Sequence, residues 1–153
     1  MGERKHFKGR KIYASLVRIM DRRRFLPYQK TICVDFDGTI VDHEFPKIGA
    51  LKPGARSALQ AFRRMGFRII VWSCRTCKWQ EDIFGSWDCP TLERPLVREM
   101  IEFLDREGVP YDEIDDGEKG KPLADLYLDD KALRVEDNWE EVEQWVTRNG
   151  GRI

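Results

Sequence analysis

The sequence predicts an α/β fold of three layers, a parallel Rossmann-like sheet with helices on both faces. Apolar runs of strand length, TICV at 31–34, FRIIVW at 67–72 and ADLYL at 124–128, alternate with longer segments of helical period. Such alternation joins parallel strands through right-handed crossover helices. The first run ends in DFDGT, which sets two carboxylates, Asp35 and Asp37, beyond the carboxyl end of a buried strand. Open α/β sheets bind ligands in the crevice at that end.

The elements follow in order. Residues 1–30 form an extension with ten Lys and Arg against two acids, a charge of +8, which leaves −8 on the remaining chain. Within it Ile12, Leu16, Ile19 and Met20 recur at helical spacing, beside Lys11, Arg18 and the run Arg22 to Arg24. This segment is expected to be partly helical. It either docks its apolar stripe on the protein's own body or on a second subunit, offers its basic face to nucleic acid or another partner, or stays a tail. Pro27 marks the boundary to a domain spanning 31–153. After DFDGT comes a polar, proline-containing stretch, VDHEFPKIGALKP. A helix is expected behind Pro53, with Ala58, Leu59, Phe62 and Met65 inward and Gly66 as its stop. The second strand follows at 67–72. A helix over 94–107 turns Leu96, Val97, Met100, Ile101 and Leu104 inward and stops before Gly108 and Pro110. VPYDEI adds a short strand, the acidic loop DDGEKGKP leads to ADLYLDD, and 138–149 closes as a helix with Trp139, Val142, Trp145 and Val146 inward.

Two carboxylates held this close repel, which points to a cation between them or to a division of roles into nucleophile and general acid. Gly38 suits a tight loop that approaches a ligand closely. A calcium loop also begins DxDG, but Val41 and Phe45 interrupt its ligand series and Pro46 stands where the closing Glu belongs.

The pattern DxDGT after an apolar strand resembles the haloacid dehalogenase-like (HAD) superfamily of phosphohydrolases, and the likeness extends along residues 31–135. FRIIVW runs into Ser73, where the family places a Ser or Thr. GKPLADLYLDD supplies Lys121 and then Asp129 and Asp130, the family's Lys and late acidic motif. A strand-ending Ser alone ordinarily serves as a cap or turn residue, so Ser73 gains its role from the company of the other motifs. A response-regulator receiver uses similar residues, but there the Lys comes last, whereas an acidic pair follows it here. The resemblance implies a Mg²⁺-dependent phosphomonoester hydrolase working through an aspartyl-phosphate. Asp35 is the nucleophile and Asp37 the general acid and base, while Ser73 and Lys121 stabilise the transferring phosphoryl group, with Lys119 as the rival lysine. Mg²⁺ would take oxygens from Asp35, the backbone carbonyl of Asp37, and Asp129 or Asp130. Gly38, Thr39 and Arg75 are expected at the substrate. A HAD-like binding or regulatory module, associated with nucleic acid through the basic extension, is the alternative.

Roughly thirty-five residues separate Asp37 from Ser73 and roughly fifty separate Ser73 from Lys121, much of both core helix. This leaves no room for a large cap domain. The strings VDFDGTI, WSCR and ADLYLDDKAL are similar to small capless HAD proteins, whose open site suits a phosphorylated polymer end or a small phosphate covered by a neighbouring subunit. The stretch TCKWQEDIFGSWDCPTLERP departs from that group. Its Trp79, Phe84 and Trp87 either stack a substrate base, as aromatics beside a phosphate site do, or pack internally or at a homo-oligomer contact.

At 153 residues the chain matches one domain able to hold a core of its own. No apolar stretch reaches membrane-helix length and the N-terminus lacks an apolar signal region, so a cytoplasmic protein with no membrane partner is expected. Cys33 reads as a buried reduced thiol. Cys74, Cys77 and Cys89 cluster and CxxC invites zinc, yet a fourth ligand is not evident in this segment.

Overall fold

The computed structural model describes residues 29–77, 89–135 and 138–149. The stripe within residues 1–28, and Trp79, Phe84 and Trp87, lie outside the described residues.

Four strands, β1 (Thr31–Val34), β2 (Arg68–Val71), β3 (Glu113–Ile114) and β4 (Leu126–Leu128), form a parallel sheet in the order β3-β2-β1-β4. Helix α1 (Ala55–Arg64) connects β1 to β2, α2 (Pro95–Arg106) lies between β2 and β3, and α3 (Trp139–Asn149) follows β4. The chain thus moves outward from β1 through β2 to β3 and returns to the opposite side of β1 for β4. That reversal puts the switch point of the sheet at the β1–β4 seam, where ligand crevices form in open α/β folds.

The register aligns the strand ends. Val34 stands opposite both Val71 and Leu128, and Ile114 stands opposite Val71. Backbone bonds carry the alignment one residue further: Asp35 N–H donates to Leu128 O, Trp72 N–H to Val34 O and Asp115 N–H to Val71 O, each at 2.9 Å. Asp35, Trp72, Asp115 and Asp129 therefore leave the sheet at one level.

The core is apolar and enclosed: Val34, Phe36, Ile69, Val71, Val97 and Leu104 belong to one buried cluster. Phe36 meets Phe103 edge-to-face at 5.9 Å between ring centroids, a favoured aromatic arrangement. Cys33 is buried in β1, where loss of solvent pushes its thiol up to about 12; it is a packing group.

The helices form where the pattern places them, with differences in which faces are buried. In α1, Leu59 is buried and Phe62 packs on the core, while Ala58 and Met65 face solvent, Met65 at 70% exposure. The inward stripe runs Ala55, Leu59, Phe62, and Met65 falls beyond the last helical turn as its C-cap. In α2, Val97, Met100, Phe103 and Leu104 are buried; Phe103 joins the inward side because Phe36 offers its ring there. Helix α3 departs most: none of its residues is buried, and Trp139, Trp145 and Val146 are exposed rather than inward.

Candidate active site

The β1–β4 seam ends in acid. Asp35 leaves β1, Asp129 and Asp130 leave β4, and one carboxylate oxygen from each lies within 4.8 Å of the others. The turn after β1 makes this approach possible. Gly38 has φ 96°, and a Cβ there would overlap the Asp130 carboxylate, so glycine serves both the left-handed backbone and the close passage. The Lys52 ammonium donates to the Gly38 carbonyl and pins the turn. Thr39 fills the space between the acids: its hydroxyl donates to Asp35 Oδ2 at 3.2 Å and accepts from the Asp130 N–H at 3.0 Å. Gly38 and Thr39, expected at the substrate, are thus taken up in organising the carboxylates. Asp129 Oδ1 accepts the Lys131 N–H at 2.8 Å and fixes the turn after β4.

Burial pushes Asp35 up from 3.8 to about 6. The Phe36 N–H and the Thr39 hydroxyl pull it back, and the Asp129 and Asp130 charges push it up again. A cation shared by the three groups removes that conflict, and three close carboxylate oxygens are the hard donors Mg²⁺ prefers. The residues present therefore fit the ion.

Asp37 is held differently. Arg75 Nε donates to Asp37 Oδ2 at 2.8 Å and Nη2 donates to Oδ1 at 2.7 Å, a forked pair. The same guanidinium donates to the carbonyls of Pro46 and Lys47 at 3.1 and 2.9 Å. Its carbon stands 5.4 Å from the Phe36 ring centroid and 5.2 Å from that of Phe45. With 0% side-chain exposure, Arg75 has no surface left for substrate, which corrects the expectation that it binds one. It ties the Asp37 carboxylate to the loop 45–47.

A cavity of about 250 Å³ opens beside these groups, lined by Asp35, Asp37, Ser73, Asp129 and Asp130 together with His43, Phe45, Cys74 and Lys131. Ser73 enters it from the end of β2 and also caps the 3-10 turn Cys74–Thr76, its Oγ accepting the Arg75 N–H at 3.2 Å. The cavity thus gathers residues from three strand ends. Lys121 is not among its lining residues. Its ammonium lies 3.9 Å from the Tyr127 ring centroid and 5.8 Å from that of Trp72, in a groove along β4 that shares Asp129 and Asp130 with the cavity. Lys119 is likewise absent from the cavity lining; its charge acts on Asp115, lowering a carboxyl pKa that burial raises. Among the described residues, Lys131 is the lysine at the cavity wall.

Sequence reasoning missed Lys131, His43, Phe45 and Lys52. The first directly follows the late acids and the next two lie in the loop after DFDGT, so position along the chain was their only signal. The Arg75–Asp37 fork had none, because it joins residues 38 apart. Among the described residues the three carboxylates are the group with metal-ligand proximity; Cys74, Cys77 and Cys89 do not gather into one. Burial first, then Cys77 and Asp35, raise the Cys74 thiol, which disfavours its thiolate.

An open, all-parallel α/β protein with an acid-lined crevice at its switch point is the class that these observations define. Among solved structures the chain is similar to a conserved protein of Bacteroides thetaiotaomicron, 28% identical, with 80% of this chain and 93% of that one covered and a TM-score of 0.52. This likeness supports the Rossmann-like architecture. A crystal structure of a Vibrio cholerae protein is 23% identical over 79% of this chain and 99% of its own, with a TM-score of 0.46. No family model and no curated protein matches the chain. Among the described residues no helix is long and apolar enough to cross a membrane.

Proposed function

We propose that this chain is a Mg²⁺-dependent phosphomonoester hydrolase of HAD type acting through an aspartyl-phosphate. The observation that carries the reading is the meeting of Asp35 from β1 with Asp129 and Asp130 from β4, with Asp37 and Ser73 on the same cavity.

The Asp35 carboxylate attacks phosphorus and the ester P–O bond breaks, with a proton from Asp37 going to the departing alkoxide. Asp37 then takes a proton from water, the water oxygen attacks phosphorus, and the acyl-phosphate bond breaks to return the Asp35 carboxylate and inorganic phosphate. Arg75 orients Asp37 for both transfers, and each carboxylate oxygen keeps a lone pair beyond its bond to the guanidinium. Ser73 Oγ, fixed by its turn, donates to a phosphoryl oxygen. Lys131 adds positive charge at the wall, and Lys121 reaches in from the groove on its four-carbon stem. Mg²⁺, held by Asp35, Asp129 and Asp130, would neutralise charge between the nucleophile and the phosphate. Substrate choice, among nucleotides, polynucleotide ends and small metabolite phosphates, falls to His43 and Phe45 in the cavity lining and, by their place in the sequence after Ser73, to Trp79 and Trp87.

The test is phosphate release from an aryl phosphate in Mg²⁺. Asp35→Asn keeps the shape and removes the nucleophile, so turnover falls about 10³-fold or more, the scale of losing a reacting group. In metal-free solution the variant unfolds at higher temperature than the parent at neutral pH, because Asn carries no buried charge. Wild-type turnover in the variant would overturn the assignment. The position of Lys121 over Tyr127 rather than in the cavity favours a second reading, a binding module without turnover. Mg²⁺ binding without phosphate release from any of these substrate classes would favour that reading.

A further inference from the structure

Helix α3 leaves an apolar stripe without cover among the described residues. Val142 lies three positions after Trp139, and Trp145 and Val146 lie three and four positions after Val142, so the four share one side of the helix, and Trp139, Trp145 and Val146 are 70%, 40% and 46% exposed. The stretch that leads to it adds Leu133 and Val135 at 42% and 44%. Exposed apolar side chains that share one helix face mark a contact that something fills. Glu140 and Glu143 line a different, polar depression on the helix. Residues 136–149 carry five acids against one Arg, a charge of −4.

We propose that residues 1–28 of this same chain cover that stripe. Three observations on the chain fit this occupant. Those residues hold nine Lys and Arg against two acids, a charge of +7 opposite the −4 of the helix region. Their own apolar positions, Ile12, Leu16, Ile19 and Met20, follow the helical spacing that pairs one stripe with another. The segment also joins the sheet beside β4, the last strand before that helix: Thr31 at the start of β1 exchanges bonds with Asp125 just before β4, N–H to Oδ2 at 2.7 Å and Asp125 N–H to Thr31 O at 2.9 Å. From β4 the chain runs on to α3. Docking buries two amphipathic faces against each other and sets Lys and Arg beside Glu140, Glu141 and Glu143 at its rim. Binding of the basic face to nucleic acid would leave both apolar stripes uncovered.

Carbodiimide cross-linking of the full chain, in an equal mixture of ¹⁵N-labelled and unlabelled protein, reads the contact directly. The expected products join Lys5, Lys8 or Lys11 to Glu140, Glu141 or Glu143 within single chains. Products of which about half carry mixed isotope, the share that random pairing of two chains gives, would assign the stripe to a second copy and overturn the proposal. Amide exchange supplies the second readout. Exchange over 139–149 is expected to be about tenfold or more faster in Leu16→Asp/Ile19→Asp than in the parent, while the Ile32 to Val34 amides stay protected and report an intact sheet. Glu140→Lys/Glu143→Lys, which spares both stripes, gives the same direction with a smaller change that vanishes in high salt. Equal exchange of α3 in the parent and both variants would overturn the proposal, as would protection that appears only on adding a single-stranded oligonucleotide.

Discussion

The two flanks of β1 are built on different principles. On the side of Asp37 and β2, charge is enclosed: Arg75 is buried, its donors go to a carboxylate and two carbonyls, and Phe36 and Phe45 stand against its guanidinium. On the side of β4, charge is gathered without an opposite partner of comparable burial among the described residues. Asp35, Asp129 and Asp130 crowd together, Asp130 and Lys121 are exposed, and the lysine rests on aromatic rings. An enclosed pair holds one geometry, since a buried charge that loses its partner is strongly unfavourable. An open acid cluster is stable only to the extent that water or a cation screens it. The first flank is suited to orienting a proton carrier, and the second to taking up and releasing an ion.

Breaking the enclosed flank has the largest expected effect on folding. Arg75→Met leaves Asp37 unpaired and two loop carbonyls without donors, and is expected to lower stability by about 3–5 kcal/mol in urea unfolding. Arg75→Lys keeps the charge but loses the fork, so turnover falls while KM for an aryl phosphate holds. An unchanged urea midpoint in Arg75→Met would erase the contrast between the flanks.

Gly38→Ala strikes the join between them. The φ of 96° and the overlap with Asp130 together predict a loss of about 1–3 kcal/mol, with weaker Mg²⁺ dependence because Asp130 is displaced. Retained Mg²⁺ affinity would show that Asp130 is not held by this turn.

The open flank is exposed by pH. Asp35 has a higher pKa in the folded chain, about 6, than its ordinary 3.8, so between those values the folded state binds more protons than the unfolded one. In metal-free solution stability therefore falls as pH rises through that window and levels off above it. Mg²⁺, which requires the carboxylate, reverses the trend and binds more weakly below about pH 6. Thermal unfolding from pH 4 to 7 with EDTA and with Mg²⁺ checks both signs, and parallel curves would remove Asp35 from the ion site.

The smallest change in stability is expected at Lys121→Ala, within about 0.5 kcal/mol as for exposed positions generally, while turnover drops. Unchanged turnover there, with a loss in Lys131→Ala, would move the role to the lysine on the cavity wall.

Much of this architecture is legible in the sequence. The strands were readable because their apolar runs are short and bounded by polar turns, and Asp35, Asp37, Ser73, Asp129 and Asp130 were readable because each stands at or just past a strand end. Side-chain direction was not. Met65 continues the spacing of α1 yet falls past its last turn, and Phe103 turns inward for a ring 67 positions earlier in the chain. Arg75 looked like a substrate ligand because it follows Ser73 on the loop, but Asp37 and the carbonyls of residues 46 and 47 draw it inward. The helical spacing of Trp139, Val142, Trp145 and Val146 predicts an inward stripe, yet Trp139, Trp145 and Val146 are exposed; periodicity does not say what covers a stripe.

The pairing of β1 with β4 also orders events in time. Thr31 and Asp125, which open that seam, are 94 residues apart, so the acid cluster forms through the slowest class of contact, long-range strand pairing. A chain still being synthesised can pair β1 with β2 and display Asp35, yet Asp129 and Asp130 have not arrived. The partly made protein is therefore spared the repulsion of the finished cluster and, on the proposed mechanism, is chemically silent. Catalytic competence then begins only when the last strand of the sheet takes its place.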